Sequence, residues 1–100
     1  MQPPYYAVIF TSVSTENNFG YSEMAEIMEE LAQQQEGYLG IESARSEIGI
    51  TVSYWKDLES IRKWKQNVDH LEAQRKGRAS WYKSYTVRIA LVEREYSFEL

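Results

Sequence analysis

Trp64, His70 and Tyr54 are the side chains of this sequence that join hydrogen-bonding or acid–base groups to apolar elements. His70 is the sole histidine. Its neutral imidazole can take a proton, and its unperturbed pKa lies near working pH, so it is the candidate base. Trp64 carries an indole N–H that only donates, so when buried it needs an acceptor such as a carbonyl or a bound oxygen. Tyr54 can offer an acidic proton or an ordered hydrogen bond to a phenolic ligand. Trp81 and Tyr85 are further aromatic candidates, with Trp81 and Tyr82 placed to close one end of a pocket. Plainer roles stay open for each of them. Trp64 fits equally as a helix-on-sheet anchor beside Leu58 and Ile61, His70 as a packing or capping residue of a helix turn, and the tyrosines as core or dimer contacts.

Other chemistries lack their residues. The chain has no cysteine, so disulfides, thiolate metal sites and cysteine nucleophiles are excluded together. One histidine without ligands at metal spacing does not make a zinc or iron site, and none is expected. The five glycines are scattered and form no phosphate-cradling loop. Asp69 and His70 are adjacent, so they cannot face each other as a hydrolytic triad requires.

The elements that must position these residues are readable from periodicity. Residues 5–12 are β-branched and aromatic on both faces and read as a central strand, followed by turn chemistry over 13–20. Tyr21, Met24, Ala25, Met28, Leu31 and Ala32 recur at helical spacing, giving a helix to about Gln35 with Ser22 as its cap and Gly37 ending it in a left-handed conformation. Residues 38–46 read as a second strand, Glu47-Ile48-Gly49 as a hairpin connection, and residues 50–55 as a third strand. In that third strand Ile50, Val52 and Tyr54 alternate with Thr51, Ser53 and Trp55. Asp57 caps a second helix containing Leu58, Ile61 and Trp64, whose register is expected to break near Asn67 before a segment with Val68 and Leu71, giving two short helices or one kinked helix that ends at Gly77. A last strand over residues 82–93 presents Tyr85, Val87, Ile89 and Leu91 on one face, and residues 94–100 form a tail.

The result is a single α+β domain over residues 1–100, with its core in 5–93. Its order is βαββαβ, the ferredoxin-like arrangement of one four-stranded antiparallel sheet with helices on one face. The uncovered sheet face, expected to hold Ala44, Trp55, Ala90 and Val92, calls for a partner, and the simplest is a second copy. Arg88 alternates onto that face and can pair with Glu42 across such a dimer.

Composition narrows the class. One hundred residues, 43% of them hydrophobic and 26% charged, suit one globular domain. A net charge of −4 argues against general nucleic-acid binding. The densest basic stretch, Arg75, Lys76 and Arg78, reads as a solvated helix end. No stretch is long and apolar enough to cross a membrane, and no signal peptide is visible, so a cytoplasmic home is expected. Aromatic residues reach 14%, a content that suits pockets and interfaces as well as a small core.

From Gly37 to Tyr82 the sequence resembles a known family. Gly37-Tyr38-Leu39-Gly40-Ile41-Glu42-Ser43 is followed by Ser53-Tyr54-Trp55-Lys56-Asp57-Leu58-Glu59, then Trp64-Lys65, Asp69-His70, Gln74, Gly77-Arg78 and Trp81-Tyr82. In order and spacing these look like the small stand-alone proteins of the antibiotic biosynthesis monooxygenase superfamily, the dimeric α+β barrels. The resemblance implies a homodimer with a pocket between helices and sheet in each subunit, holding a small aromatic or apolar ligand. It implies either oxidation of aromatic substrates with O2 and no prosthetic group, or haem binding and degradation; a non-enzymatic binding module is the further alternative. Trp64 matches the pocket tryptophan of the oxidising members. The haem-degrading pattern places its histidine where this chain has Gln74, and the pocket-facing asparagine that oxidising members carry in the first strand is replaced by Phe10, Thr11 and Ser12, so the resemblance implies that Phe10 and Ser12 line the substrate pocket with Trp81 and Tyr85.

Overall fold

Crowded β-branched and aromatic residues favour extended backbone, and Tyr5–Ser14 form the ten-residue strand β1. The computed structural model describes residues 1–16, 21–75 and 81–100. After β1 come α1 (Tyr21–Gln33), β2 (Tyr38–Arg45), β3 (Gly49–Trp55), α2 (Leu58–Arg75) and β4 (Tyr82–Val92). The strands form one antiparallel sheet in the order β2-β3-β1-β4. This is the expected α+β, ferredoxin-like βαββαβ fold, with β1 central as its two apolar faces require.

Local chemistry sets the element ends. Asp57 Oδ1 accepts from the Ser60 amide at 2.8 Å, the N-cap bond expected for α2. Gly37 has φ +88°, the left-handed conformation that follows a helix end. Here it leads the chain out of α1 through a turn over Gln34 and Gln35 into β2. Because α1 already starts at Tyr21, Ser22 lies inside the helix instead of capping it. β1 runs on through Val13 and Ser14, where a turn was expected, because Thr15 N donates to Trp81 O at 2.8 Å past a register shift at Val13/Ser14. The expected end of α2 at Gly77 and the turn residues 17–20 lie outside the described residues.

α2 is one helix through Asn67 and not two short ones. Leu58, Ile61, Trp64, Val68 and Leu71 follow one another at spacings of three, three, four and three residues, which keeps one helix face. Asn67 supports the helix from its side, its Nδ2 donating to Lys63 O at 3.1 Å and to Gln35 Oε1 beyond α1 at 3.3 Å.

Paired residues of antiparallel strands share a face, so the register lays rows across the helix side of the sheet. Arg45, Gly49, Ser12 and Tyr85 form one row, Ser43, Thr51, Phe10 and Val87 the next. Ile41, Ser53, Val8 and Ile89 follow, and Trp55, Tyr6 and Leu91 close the series. Trp55 is fully buried and clusters with Ala32 and Ile61, with Tyr6, Val8, Tyr38 and Trp64 around them. It therefore faces the helices, correcting its expected place on the open side. The opposite face carries Ala44, Ala90 and Val92 as expected, and also Tyr54, which is in register with Ala7.

The helices cover only part of their side of the sheet. α1 contacts β2 and α2 contacts β3. On β4, an edge strand, Tyr85, Val87, Ile89 and Leu91 face the helix side yet keep 43–53% of their surface exposed. Neither described helix is long and apolar enough to span a membrane.

Candidate functional site

The space between helices and sheet is a cavity of about 590 Å³. Alternation along β1 and β3 puts Val8, Phe10, Thr51 and Ser53 on its floor. Spacing of three and four along the helices roofs it with Met24 and Met28 from α1, and Ile61, Trp64 and Val68 from α2. A mostly apolar concavity with few polar groups is the usual form of a small-molecule site.

Trp64 lines this cavity half-buried, its ring stacked on Trp55 with centroids 5.8 Å apart. Trp55 in turn meets Tyr38 edge-on at 5.8 Å and donates from Nε1 to Ser53 Oγ at 2.9 Å. That bond satisfies the indole donor within one face of the strand, which lets the ring be wholly buried. Burial, and then the negative charge of Glu29, pushes the Tyr38 phenol above its ordinary range. At the other end Phe10 stacks on Tyr85 at 5.3 Å and meets Tyr82 edge-on at 5.4 Å. Phe10, Trp81 and Tyr82 line the cavity, and Tyr85 backs Phe10. Lys65 and Asp69 stand on the wall and pair at 2.8 Å, both exposed.

The sequence candidates are thus split. Trp64, Phe10 and Trp81 meet at the cavity. Ser12 is buried on the same sheet face, but it holds a neighbouring side chain: its Oγ accepts from Arg45 Nη2 at 2.6 Å. Tyr54 lies on the opposite face of the sheet, where its hydroxyl donates to Glu42 Oε1 at 2.7 Å and its ring meets Tyr5 edge-on at 5.8 Å. The Glu42 carboxylate, with burial added, pushes the Tyr54 phenol up to about 12. His70 is exposed on α2 and is not among the residues that line the cavity. A haem seated there would not meet it as an axial ligand, and the Gln74 side chain lies outside the described residues. Among the described residues no group of His, Asp and Glu is arranged to hold a metal ion.

Periodicity did not point to Arg45. It lines the cavity, donates from Nη1 to Ser14 Oγ at 2.6 Å as well as to Ser12, and lies across Gly49, where any Cβ would overlap its guanidinium. The available signal was the hairpin itself, since a short connection between β2 and β3 sets Arg45 opposite Gly49.

Comparison with known proteins bears on the whole arrangement. The profile of the family described as "Monooxygenase af470-like" matches residues 11–90. The uncharacterized protein YqjZ of Bacillus subtilis (strain 168) is 51% identical over 100 residues, spanning 98% of this chain and 88% of that protein. Among solved structures, a candidate antibiotic biosynthesis monooxygenase from Nitrosomonas europaea superposes with a TM-score of 0.74 at 17% identity, covering 92% of this chain and 93% of that one. SnoaB, a cofactor-independent oxygenase from Streptomyces nogalater, superposes with a TM-score of 0.66 at 11% identity, covering 95% and 97%. At such identities these two structures speak for the fold alone.

Proposed function

The chain belongs to the af470-like monooxygenase family, and on that premise we propose that it oxidises a small aromatic substrate with O2, without a prosthetic group, in the cavity beside Trp64. The observation that carries this reading is the cavity itself: about 590 Å³, with an apolar roof over a floor of apolar side chains and a few hydroxyls, and the Trp64 indole on its wall. In such a reaction the substrate is the reductant. A CH2 group activated by neighbouring carbonyl or phenol groups becomes C=O; one oxygen atom of O2 enters that carbonyl and the other leaves as water with the two hydrogens. The protein holds the substrate in one orientation and stabilises the anion from which electrons pass to O2. Trp64 binds by stacking and by its N–H.

A homodimer completes the site in this reading. Val87 and Ile89 line the cavity and are still about half exposed, so the cavity opens along β4. A second copy seated over β4 walls it and covers the apolar row.

One observation favours a second reading, a dimeric binding module without turnover. The charged side chains on the cavity wall, Glu29, Arg45, Lys65 and Asp69, are all exposed, and none is the desolvated base that proton abstraction from a weak carbon acid calls for.

Oxygen uptake with a panel of anthrones and quinols decides between the two. Turnover above buffer is expected, lowered about tenfold by Trp64→Phe through loss of the N–H donor. His70→Ala leaves it within about a factor of two, as for an exposed side chain away from the cavity. No uptake above buffer across the panel, with an unaltered aromatic compound copurifying, selects the binding module. Haemin titration is expected to give the same Soret band in the native protein and in His70→Ala.

A further inference from the structure

The floor of the cavity is graded. Its first row holds Arg45 and Gly49, with Ser12 buried beside them, its second Ser43, Thr51 and Phe10, its third Ile41, Ser53 and Val8, and the floor ends toward the Trp55 core. A cation therefore stands at one end of a surface that turns apolar toward the other. The guanidinium is placed by construction and does not trail from the strand. Its Nη2 and Nη1 donate to the hydroxyls of Ser12 and Ser14, each at 2.6 Å, and Gly49 beneath it leaves room that no other residue would leave. A guanidinium has five N–H donors in a planar fork, so being oriented by two hydroxyls is compatible with donation to a ligand oxygen.

We propose that Arg45 is the anion-recognition residue of this cavity, and that the ligand is a flat aromatic body bearing an anionic oxygen group, a carboxylate or phenolate, which lies at the Arg45 end while the rings run toward Trp64. This rests on the cavity reading given above and names its substrate class. Ser12 and Ser14 are positioning residues for the fork. The Phe10 ring stands one row in from Arg45, with Tyr82 meeting it edge-on, and the first ring of such a ligand lies beside it. Arg45 is itself exposed, which sets the anionic group at the mouth, where part of its hydration is retained.

The competing role for Arg45 is a clasp that ties the end of β2 to β1, and a matched pair of probes separates the two. Naphthoate and its neutral isostere naphthamide are titrated calorimetrically into the native protein and into Arg45→Gln, Arg45→Lys and Ser14→Ala. The native protein is expected to prefer naphthoate by about tenfold, the scale of one charge-assisted bidentate pair at a partly exposed site. Added salt weakens naphthoate binding alone. Arg45→Gln removes the preference and leaves naphthamide within about twofold of native. Arg45→Lys restores part of it, and Ser14→Ala weakens naphthoate only. Equal affinities for the two probes in the native protein overturn the assignment, as does a preference that survives Arg45→Gln. Loss of both probes in Arg45→Gln, with the melting temperature lowered, identifies a clasp and also overturns it. If neither probe binds the native protein, the cavity reading itself falls, and this assignment with it.

Discussion

At the scale of single residues, neighbouring positions on one strand do opposite jobs. Tyr54 and Trp55 are both large and aromatic, and alternation sends them to opposite faces. Periodicity says that they part, but not which goes inward, because β3 reads as apolar in either register: Ile50, Val52 and Tyr54 on one side, Trp55 on the other. Packing decides it. Trp55 can be wholly buried because Ser53 accepts its N–H, and the Tyr54 hydroxyl finds the Glu42 carboxylate outside. Tyr54 therefore titrates late. The carboxylate accepts the phenol's proton only while that proton is present, so the neutral phenol is favoured and its pKa rises from 10.0 to about 12. The sign follows: this contribution to stability is fully present below pH 10 and is lost as pH rises through 12. Phenolate absorbance should place the midpoint of Tyr54 near 12 in the native protein, and Glu42→Gln should bring it back toward 10. An unchanged midpoint in Glu42→Gln would show that the bond does not govern the titration. Tyr54→Phe should leave substrate turnover unaltered, since the residue is on the far side of the sheet from the cavity.

At the scale of elements, most of the fold was legible and its seams were less so. Six elements, their order and most ends follow from alternation, helical spacing, the Asp57 cap and Gly37. The misread points are places where local chemistry is ambiguous. Asn67 looks like a breaker, but inside α2 it bonds to a carbonyl four residues back and to Gln35, which supports the helix. Val13 and Ser14 look like turn residues until β4 pairs with them. Arg45 went unnoticed because its role depends on a glycine in the next strand and serines in the one after. The β2 entry is the most constrained seam. Gly37 has φ +88°, and a Cβ there would overlap the buried Ser60 hydroxyl. Gly37→Ala should cost about 2 kcal/mol, from the left-handed conformation and the displaced Ser60 together, read as a lower midpoint in urea with the slope unchanged. A loss under a few tenths of a kcal/mol would mean that the turn relaxes freely. The neighbouring cap gives an acid-side signature. Hydrogen bonds from the Ser60 hydroxyl and amide hold the Asp57 carboxyl below its ordinary range. Its contribution is thus present above that range and fades as pH falls through it. Asp57→Ala should melt at a lower temperature than native near neutrality and converge with it in acid. A constant gap down to strongly acidic pH would exclude the charged cap as the cause.

At the scale of the whole molecule, two sheet surfaces bear on a partner. The face opposite the helices is partly self-covered: Tyr5 and Ala7 are buried there, and burial, with the Glu95 carboxylate next, pushes the Tyr5 phenol up, placing the segment after β4 close to it. The larger apolar exposure lies on the helix side of β4, where Tyr85, Val87, Ile89 and Leu91 form one continuous row, with Tyr96, Phe98 and Leu100 exposed in the segment beyond. A row of this kind along an unpaired strand edge is both a hydrophobic and a hydrogen-bonding liability in a lone protomer. In the proposed dimer a second copy over β4 would relieve both by the same contact, and that contact would close the cavity beside Val87 and Ile89. Assembly and function are then linked: a chain held monomeric should fold yet bind its ligand poorly, because one wall is missing. Leu91→Glu tests this without touching the cavity lining, since Leu91 pairs with Tyr6 beyond the Ile89 row and is 47% exposed within the protomer. Native protein should sediment at twice the chain mass. Leu91→Glu should sediment at the chain mass with its helix and strand content retained, and should bind naphthoate at least about tenfold more weakly. A native protein that sediments as a monomer refutes the dimer. A monomeric Leu91→Glu that binds as tightly as native would show that each protomer's cavity is complete by itself.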